Sequence, residues 1–187
     1  MDLVLLQPGD AEVFGGANSL DNGGSSIDSA RQDSVLELGP CIELVSMHYG
    51  MKQQVTADIS IAARTSGRPA ISELTLIKYV DGTSIKFYEY CLRAEPIGKG
   101  KDKPTRLHIV RNSGDTTSKI ITISLRDAII SEIQLQSHPN DMPTEQFKLN
   151  FTEILWAATT QDSSGTTVNS STGWSIARNR PITQFAE

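Results

Sequence analysis

A chain of 187 residues and 20.4 kDa with 38% hydrophobic residues has the length and the apolar content of a single globular domain. Lys plus Arg number 17 against 22 Asp plus Glu, a net charge of −5, which excludes the bulk basicity typical of a nucleic-acid binder. No apolar run approaches the ~18 residues of a membrane span, and Met1-Asp2-Leu3-Val4-Leu5-Leu6 lacks the basic start and the ~7–15-residue apolar core of a signal peptide. Synthesis in a cytoplasm is therefore expected.

Asp2 to Leu6 reads as a short strand ended by Pro8-Gly9. In Gly9 to Ser34, 16 of 26 residues are Gly, Ser, Asp or Asn, and five acids stand against Arg31 alone. Such a stretch buries too little apolar surface to offset the entropy of ordering it, so it is expected to be a long, polar, acidic loop at 9–34. Val35 to Tyr49 returns to strand character, broken at Gly39-Pro40 so that two strands or one with a sharp bend are expected, and its apolar groups on both faces predict burial on both sides. Met51 to Pro69 is a polar connection with weak alternation at Ile59, Ile61 and Ala63. A clearer strand follows over Ile71 to Val80, where Lys78 interrupts the face shared by Leu74, Leu76 and Val80.

The turn Asp81-Gly82-Thr83-Ser84 places hydroxyls where a helix start needs them. Ile85, Tyr88, Cys91 and Leu92, with Phe87, make a stripe at spacings of three and four that predicts an amphipathic helix with Tyr88, Cys91 and Leu92 on its core face. Gly98 to Pro104 is a basic turn. A phosphate loop is not expected there, because Pro104 and another strand follow instead of a helix.

Thr105 to Arg111 is a strand, and a turn is expected at Asn112 to Asp115. Ile121, Ile123 and Leu125 alternate in a long strand whose phase slips at Asp127-Ala128 before Ile133 and Leu135 resume it. Phe147, Leu149 and Phe151 alternate on the return strand, which slips at Thr152-Glu153 before Ile154 and Trp156. Two paired strands that both change phase are expected to bend together, as at a barrel corner. Thr160 to Thr172 has Val168 as its one apolar residue and reads as a flexible hairpin tip, and Trp174 and Ile176 alternate in a closing strand. About eight strands and one helix predict a mainly β fold: an antiparallel barrel or two-sheet sandwich with one flanking helix.

No catalytic, cofactor or metal site is expected. His48, His108 and His138 lack metal-ligand spacing, Cys41 and Cys91 are read as reduced thiols, and no Gly-x-Ser-x-Gly elbow occurs. The residue chemistry alone describes a β-rich binding or structural module.

Four stretches carry a resemblance. They are Leu44-Val45-Ser46-Met47-His48-Tyr49-Gly50-Met51; Leu74 to Asp81 with Thr83-Ser84 and Cys91; Ile121 to Ser131 with Pro143-Thr144-Glu145 and Leu149-Asn150-Phe151; and Thr172-Gly173-Trp174-Ser175-Ile176. In order and spacing, over about 140 residues, they resemble the haemolysin-coregulated protein (Hcp) family of type VI secretion. The resemblance implies a single Hcp-like domain over 1–187 and a non-enzymatic tube subunit. It implies hexameric rings that stack, partners in a VgrG-like spike protein, a contractile sheath and effector proteins, and secretion through the type VI apparatus without a cleaved signal peptide. Rings stacked along an axis need a projecting loop. Met51 to Pro69 is such a loop, and its Arg64 and Arg68 are candidates for contacts with the next ring. Rival readings are a tail-tube subunit of a phage-like contractile particle, a small-ligand-binding barrel, and a hydrolase with an unrecognised triad.

Overall fold

A computed structural model of the chain describes residues 2–15, 38–55, 67–113, 116–161 and 167–186. Among them are thirteen strands, one α-helix and one 3-10 turn. Strands β1 (Asp2–Gln7), β2 (Ile42–Leu44), β7 (Thr105–Ser113), β8 (Thr116–Arg126), β11 (Glu153–Gln161), β12 (Thr167–Ser175) and β13 (Arg180–Pro181) form a seven-stranded sheet in the order β13-β12-β11-β8-β7-β1-β2. Strands β3 (Ser46–His48), β6 (Leu74–Tyr79), β9 (Ile129–Gln136) and β10 (Thr144–Asn150) form a second sheet in the order β3-β6-β10-β9. A small ribbon pairs β4 (Met51–Lys52) with β5 (Ala70–Ile71). Every pairing is antiparallel. The fold is the mainly β architecture with a flanking helix, α1 (Ser84–Arg93).

The two phase slips mark where the chain passes from one sheet to the other. β8 ends at Arg126 in the large sheet and β9 begins at Ile129 in the small one. Asp127 between them takes a left-handed backbone with φ 50°. β10 makes the reverse passage into β11 through Phe151 and Thr152. The two crossings are bonded to each other, since the Thr152 amide donates to the Arg126 carbonyl at 3.1 Å. Each passage shifts the alternation by one residue. Leu125 then Ala128 and Ile130, and Leu149 and Phe151 then Ile154, all face the same core.

That core lies between the sheets and beneath α1. Leu6, Ile42, Leu74, Leu76, Phe87, Leu107, Ile123, Leu125, Phe147 and Leu149 are all fully buried. Fully burying one such side chain stabilises the fold by about 1.5–3 kcal/mol. A smaller cluster of Leu3, Leu5, Cys41 and Val110 sits on the opposite face of the large sheet, so β1 is apolar and buried on both sides.

Several expectations are corrected. The strand over Val35 to Tyr49 is not buried on both faces. It breaks at Val45, which is 51% exposed, because β2 joins the large sheet and β3 the small one. The tip expected at 160–172 is mostly paired strand: Thr160 opposes Val168 and Trp156 opposes Thr172, and only 162–166 lie outside the described residues. Backbone pairing with β11 continues the ladder along β12 where its side chains are mostly polar. The turn at Asn112 likewise starts later, since Asn112 and Ser113 pair with Thr117 and Thr116. Leu135 does not resume the core face, being 61% exposed on an edge strand. Of the acidic loop at 9–34, residues 16–34 lie outside the described residues. Its beginning is fixed: Ala11–Phe14 form the 3-10 turn, Asp10 Oδ1 accepts from the Glu12 amide, and Val13 is fully buried.

Candidate assembly surface

The helix is set on the small sheet by a buried charge cluster. Lys78 and Glu145 oppose each other on β6 and β10, and both are fully buried. The Lys78 ammonium lies 2.9 Å from Glu145 Oε1 and 2.8 Å from Asp81 Oδ1, and it donates to Ser84 Oγ at 3.1 Å and to the Tyr79 carbonyl at 3.0 Å. Ser84 Oγ donates to Glu145 Oε1 at 2.9 Å and Tyr88 Oη to Glu145 Oε2 at 3.0 Å. Phe87 packs edge-on against Phe147 at 5.0 Å, with Lys78 5.5 Å from its ring centroid. Burying charges this deeply is tolerable only because each is paired and bonded. Asp81 also closes the helix start, accepting from the Thr83 amide and hydroxyl, whereas Thr83 itself makes no side-chain cap. Burial, and then the Glu145 bond, raise the Tyr88 phenol above its ordinary range.

This anchoring rotates the helix away from the sequence expectation. Ser84, Phe87 and Tyr90 face inward, and Tyr90 Oη donates to Asp10 Oδ2 at 2.8 Å. Tyr88 and Cys91 are half-buried at the edge of the inner face, with Cys91 packed against the core. Leu92 is 88% exposed and Ile85 71%. Leu92 is thus no core residue, being five positions beyond Phe87 and well round the helix from it. Ile85 and Leu92, seven residues apart, share an outward stripe with Glu89, which is paired to Lys86 and Arg93 at 2.9 Å each.

The ribbon β4–β5 and residues of β11, β12 and β13 line an apolar groove of about 360 Å3. Its walls include Met51, Pro69, Ile71, Trp156 and Trp174. Trp156 Nε1 donates to Tyr49 Oη at 3.0 Å, so the polar edge of that ring is already satisfied. Arg68, one of the two candidate stacking residues, is exposed at the foot of this ribbon. Arg64, the other, lies outside the described residues.

His108 is buried on β7 between Thr122 Oγ1 at 3.1 Å and Gln7 Oε1 at 3.2 Å, so Nε2 donates to Gln7 while Nδ1 accepts from Thr122. Burial first, then Lys119 and Arg106, hold its pKa down at about 4. Burial pushes the Cys41 thiol up to about 12, slightly opposed by Lys119. Cys91 is half-buried, and neither cysteine is in a disulfide. Among the described residues, no group of three His, Cys, Asp or Glu is placed to hold a metal, and no helix is long and apolar enough to cross a membrane.

Sequence reasoning missed Lys78 and Glu145 as partners. Its one signal was a lysine on an otherwise apolar strand face. The buried charges organise a helix, and exposed large apolar side chains lie on that helix, on β4, β6, β9 and β12 and in the loops. The described residues thus form a β-rich module whose single helix is anchored by buried charges and carries exposed apolar groups. The family model described as type VI secretion system effector, Hcp, matches residues 24–157, and the chain belongs to that family. Family and fold together make it a tube-like protein of type VI secretion.

Solved structures share the fold at low identity. "Structure of a type six secretion system protein" superposes with a TM-score of 0.71 at 18% identity, covering 97% of this chain and 100% of the other. Hcp1 from Salmonella typhimurium gives 0.64 at 15% identity over 97% of this chain and 99% of its own. The secreted protein Hcp3 from Pseudomonas aeruginosa gives 0.54 at 16% identity over 91% and 97%. No curated protein matches the chain.

Proposed function

We propose that this protein is a structural subunit of the type VI inner tube. Six copies close into a ring, and rings stack into a hollow tube. The tube is pushed out by a contractile sheath behind a VgrG-like spike, with effectors in its lumen. The role is mechanical, without catalysis or cofactor, and export needs no cleaved signal peptide. Family membership over 24–157 carries this reading. It is supported by a barrel interior filled with side chains such as Phe87, Phe147 and Ile123, which leaves a small-ligand carrier without its expected roomy interior. It is also supported by the row of backbone groups that β12 turns outward from Thr167 to Thr172, beyond the reach of the two-residue β13, since ring closure is one way to cover such an edge.

Light scattering on a purified column peak tests the ring. Six copies of 20.4 kDa give a mass of about 122 kDa. A peak that stays at the monomer mass up to cellular concentration would sink the reading.

A further inference from the structure

We propose that the groove between the ribbon β4–β5 and the large sheet is a binding site for a small aromatic carboxylate. Its volume of about 360 Å3 lies within the range of small-molecule sites, about 300–1,000 Å3. One wall comes from the large sheet. Trp156 on β11 opposes Thr172, and Trp174 on β12 opposes Ile154, so the two indoles are diagonal neighbours on one face. The other wall comes from the ribbon, where Met51 and Ile71 are Cα partners. Ile71, Trp156 and Trp174 are half-buried and packed against the main core, which gives the groove a fixed floor. Phe87, Phe147 and Ile123 fill the barrel interior, so this is a site on the surface, apart from the internal cavity a carrier would need.

The charge around the groove has one sign. Lys52 lines it, and Arg68 and Arg180 each precede a lining proline, Pro69 and Pro181. All three cations are exposed, and none has an ion pair among the described residues. No Asp or Glu among the described residues lines the groove. One further donor is unused. Trp156 Nε1 is taken up by Tyr49 Oη, whereas Trp174 Nε1 has no hydrogen-bond partner among the described residues.

An unpaired ammonium and an unused indole N–H beside an apolar slot complement a ligand with an apolar body and one anionic group. The two indoles select the kind of body. Ring-on-ring contacts, offset or edge-on, add to what the buried area alone supplies, so a flat aromatic is favoured over an alkyl chain.

The chain has two tryptophans, and both line this groove, so an indole label reports on it alone. The test prepares the full chain with 5-fluorotryptophan and titrates it with naphthalene-2-carboxylate by fluorine NMR. Both resonances are expected to move and to saturate together. Naphthalene-2-carboxamide keeps the rings and loses the charge. It should bind about tenfold more weakly, the loss expected for one charge-assisted hydrogen bond. The carboxylate should lose about as much on Lys52→Gln, a change at an exposed side chain that should leave the ligand-free resonances in place. Octanoate keeps the charge and loses the rings, and it too should bind more weakly. Resonances that stay still at millimolar carboxylate would overturn the proposal. So would carboxamide or octanoate binding as tightly as the carboxylate, or a Lys52→Gln protein that binds like the parent.

Discussion

Lys78 and Glu145 are the pair on which the helix side of the molecule depends. Both side chains are fully buried at 2.9 Å, so removing one strands the other charge away from water. Breaking a buried pair in this way costs about 3–5 kcal/mol. Lys78→Ala is therefore expected to lower the urea midpoint severely, while Lys78→Met with Glu145→Leu should recover part of the loss because no fully buried lone charge remains, Asp81 keeping its bonds from the Thr83 amide and hydroxyl. A second residue sets the acid behaviour. The buried His108 ring stays neutral down to about pH 4, whereas in the unfolded chain it takes a proton near 6.5. Above 6.5 neither state binds that proton and the ring adds no slope. As pH falls from 6.5 toward 4, the unfolded state gains a proton the folded state refuses, so stability drops, by up to about 3 kcal/mol. Urea midpoints at pH 7.5 and 4.5 should therefore fall further in the parent than in His108→Gln, since carboxylate effects are common to both. Neither role was legible in advance. A lysine in a strand gives no sign of which acid faces it, and the Gln7–His108 contact joins residues about a hundred positions apart.

At the scale of the element, the helix shows how far periodicity reaches. Its existence and span follow from apolar residues at spacings of three and four. Its rotation does not, because the sequence offers two such stripes. One runs through Phe87, Tyr90 and Cys91, the other through Ile85 and Leu92. The choice between them is made by Phe147 and Glu145, about sixty residues downstream. Phe87→Ala is accordingly expected to cost about 3–5 kcal/mol in chemical denaturation, and Leu92→Ala less than about 0.5. Equal effects would mean the helix sits in the other rotation. The crossings at Asp127 and Thr152 were legible because a sheet change forces a one-residue slip in an otherwise regular alternation. The pairing of β12 was hidden because Thr, Ser and Asn beside solvent look the same in a strand as in a loop.

For the whole molecule, family and architecture could be read from four separated stretches, because the alternating strands they record form the walls of the barrel. The surfaces that join copies are harder to read, since an exposed residue looks alike whether water or a neighbour covers it. The stacking reading makes a specific claim here. Arg68 is exposed beside the ribbon β4–β5, so on the stacking reading Arg64→Glu with Arg68→Glu should leave hexamers intact by light scattering and abolish tubes by electron microscopy. A rim charge reversal disturbs a folded subunit little but opposes a charged partner across a junction. Long tubes of normal appearance in the double variant would exclude this loop as the stacking element.

The position of β1 has a consequence for synthesis. It lies between β2 and β7, and Leu5 pairs with Glu43 on one side and His108 on the other. A ribosome adding roughly 5–20 residues per second completes β1 several seconds to some twenty seconds before β7 is made. Throughout that interval Leu3, Leu5 and Leu6, all buried in the finished sheet, have at most the three residues of β2 beside them. The nascent chain thus carries an apolar strand with an open edge, the template that other strands pair with wrongly. Pairing over such separation is also slow once the chain is complete. Chains released before Arg111 are expected to aggregate, and the full-length chain should depend on holding chaperones more at high expression than its modest hydrophobic content would suggest.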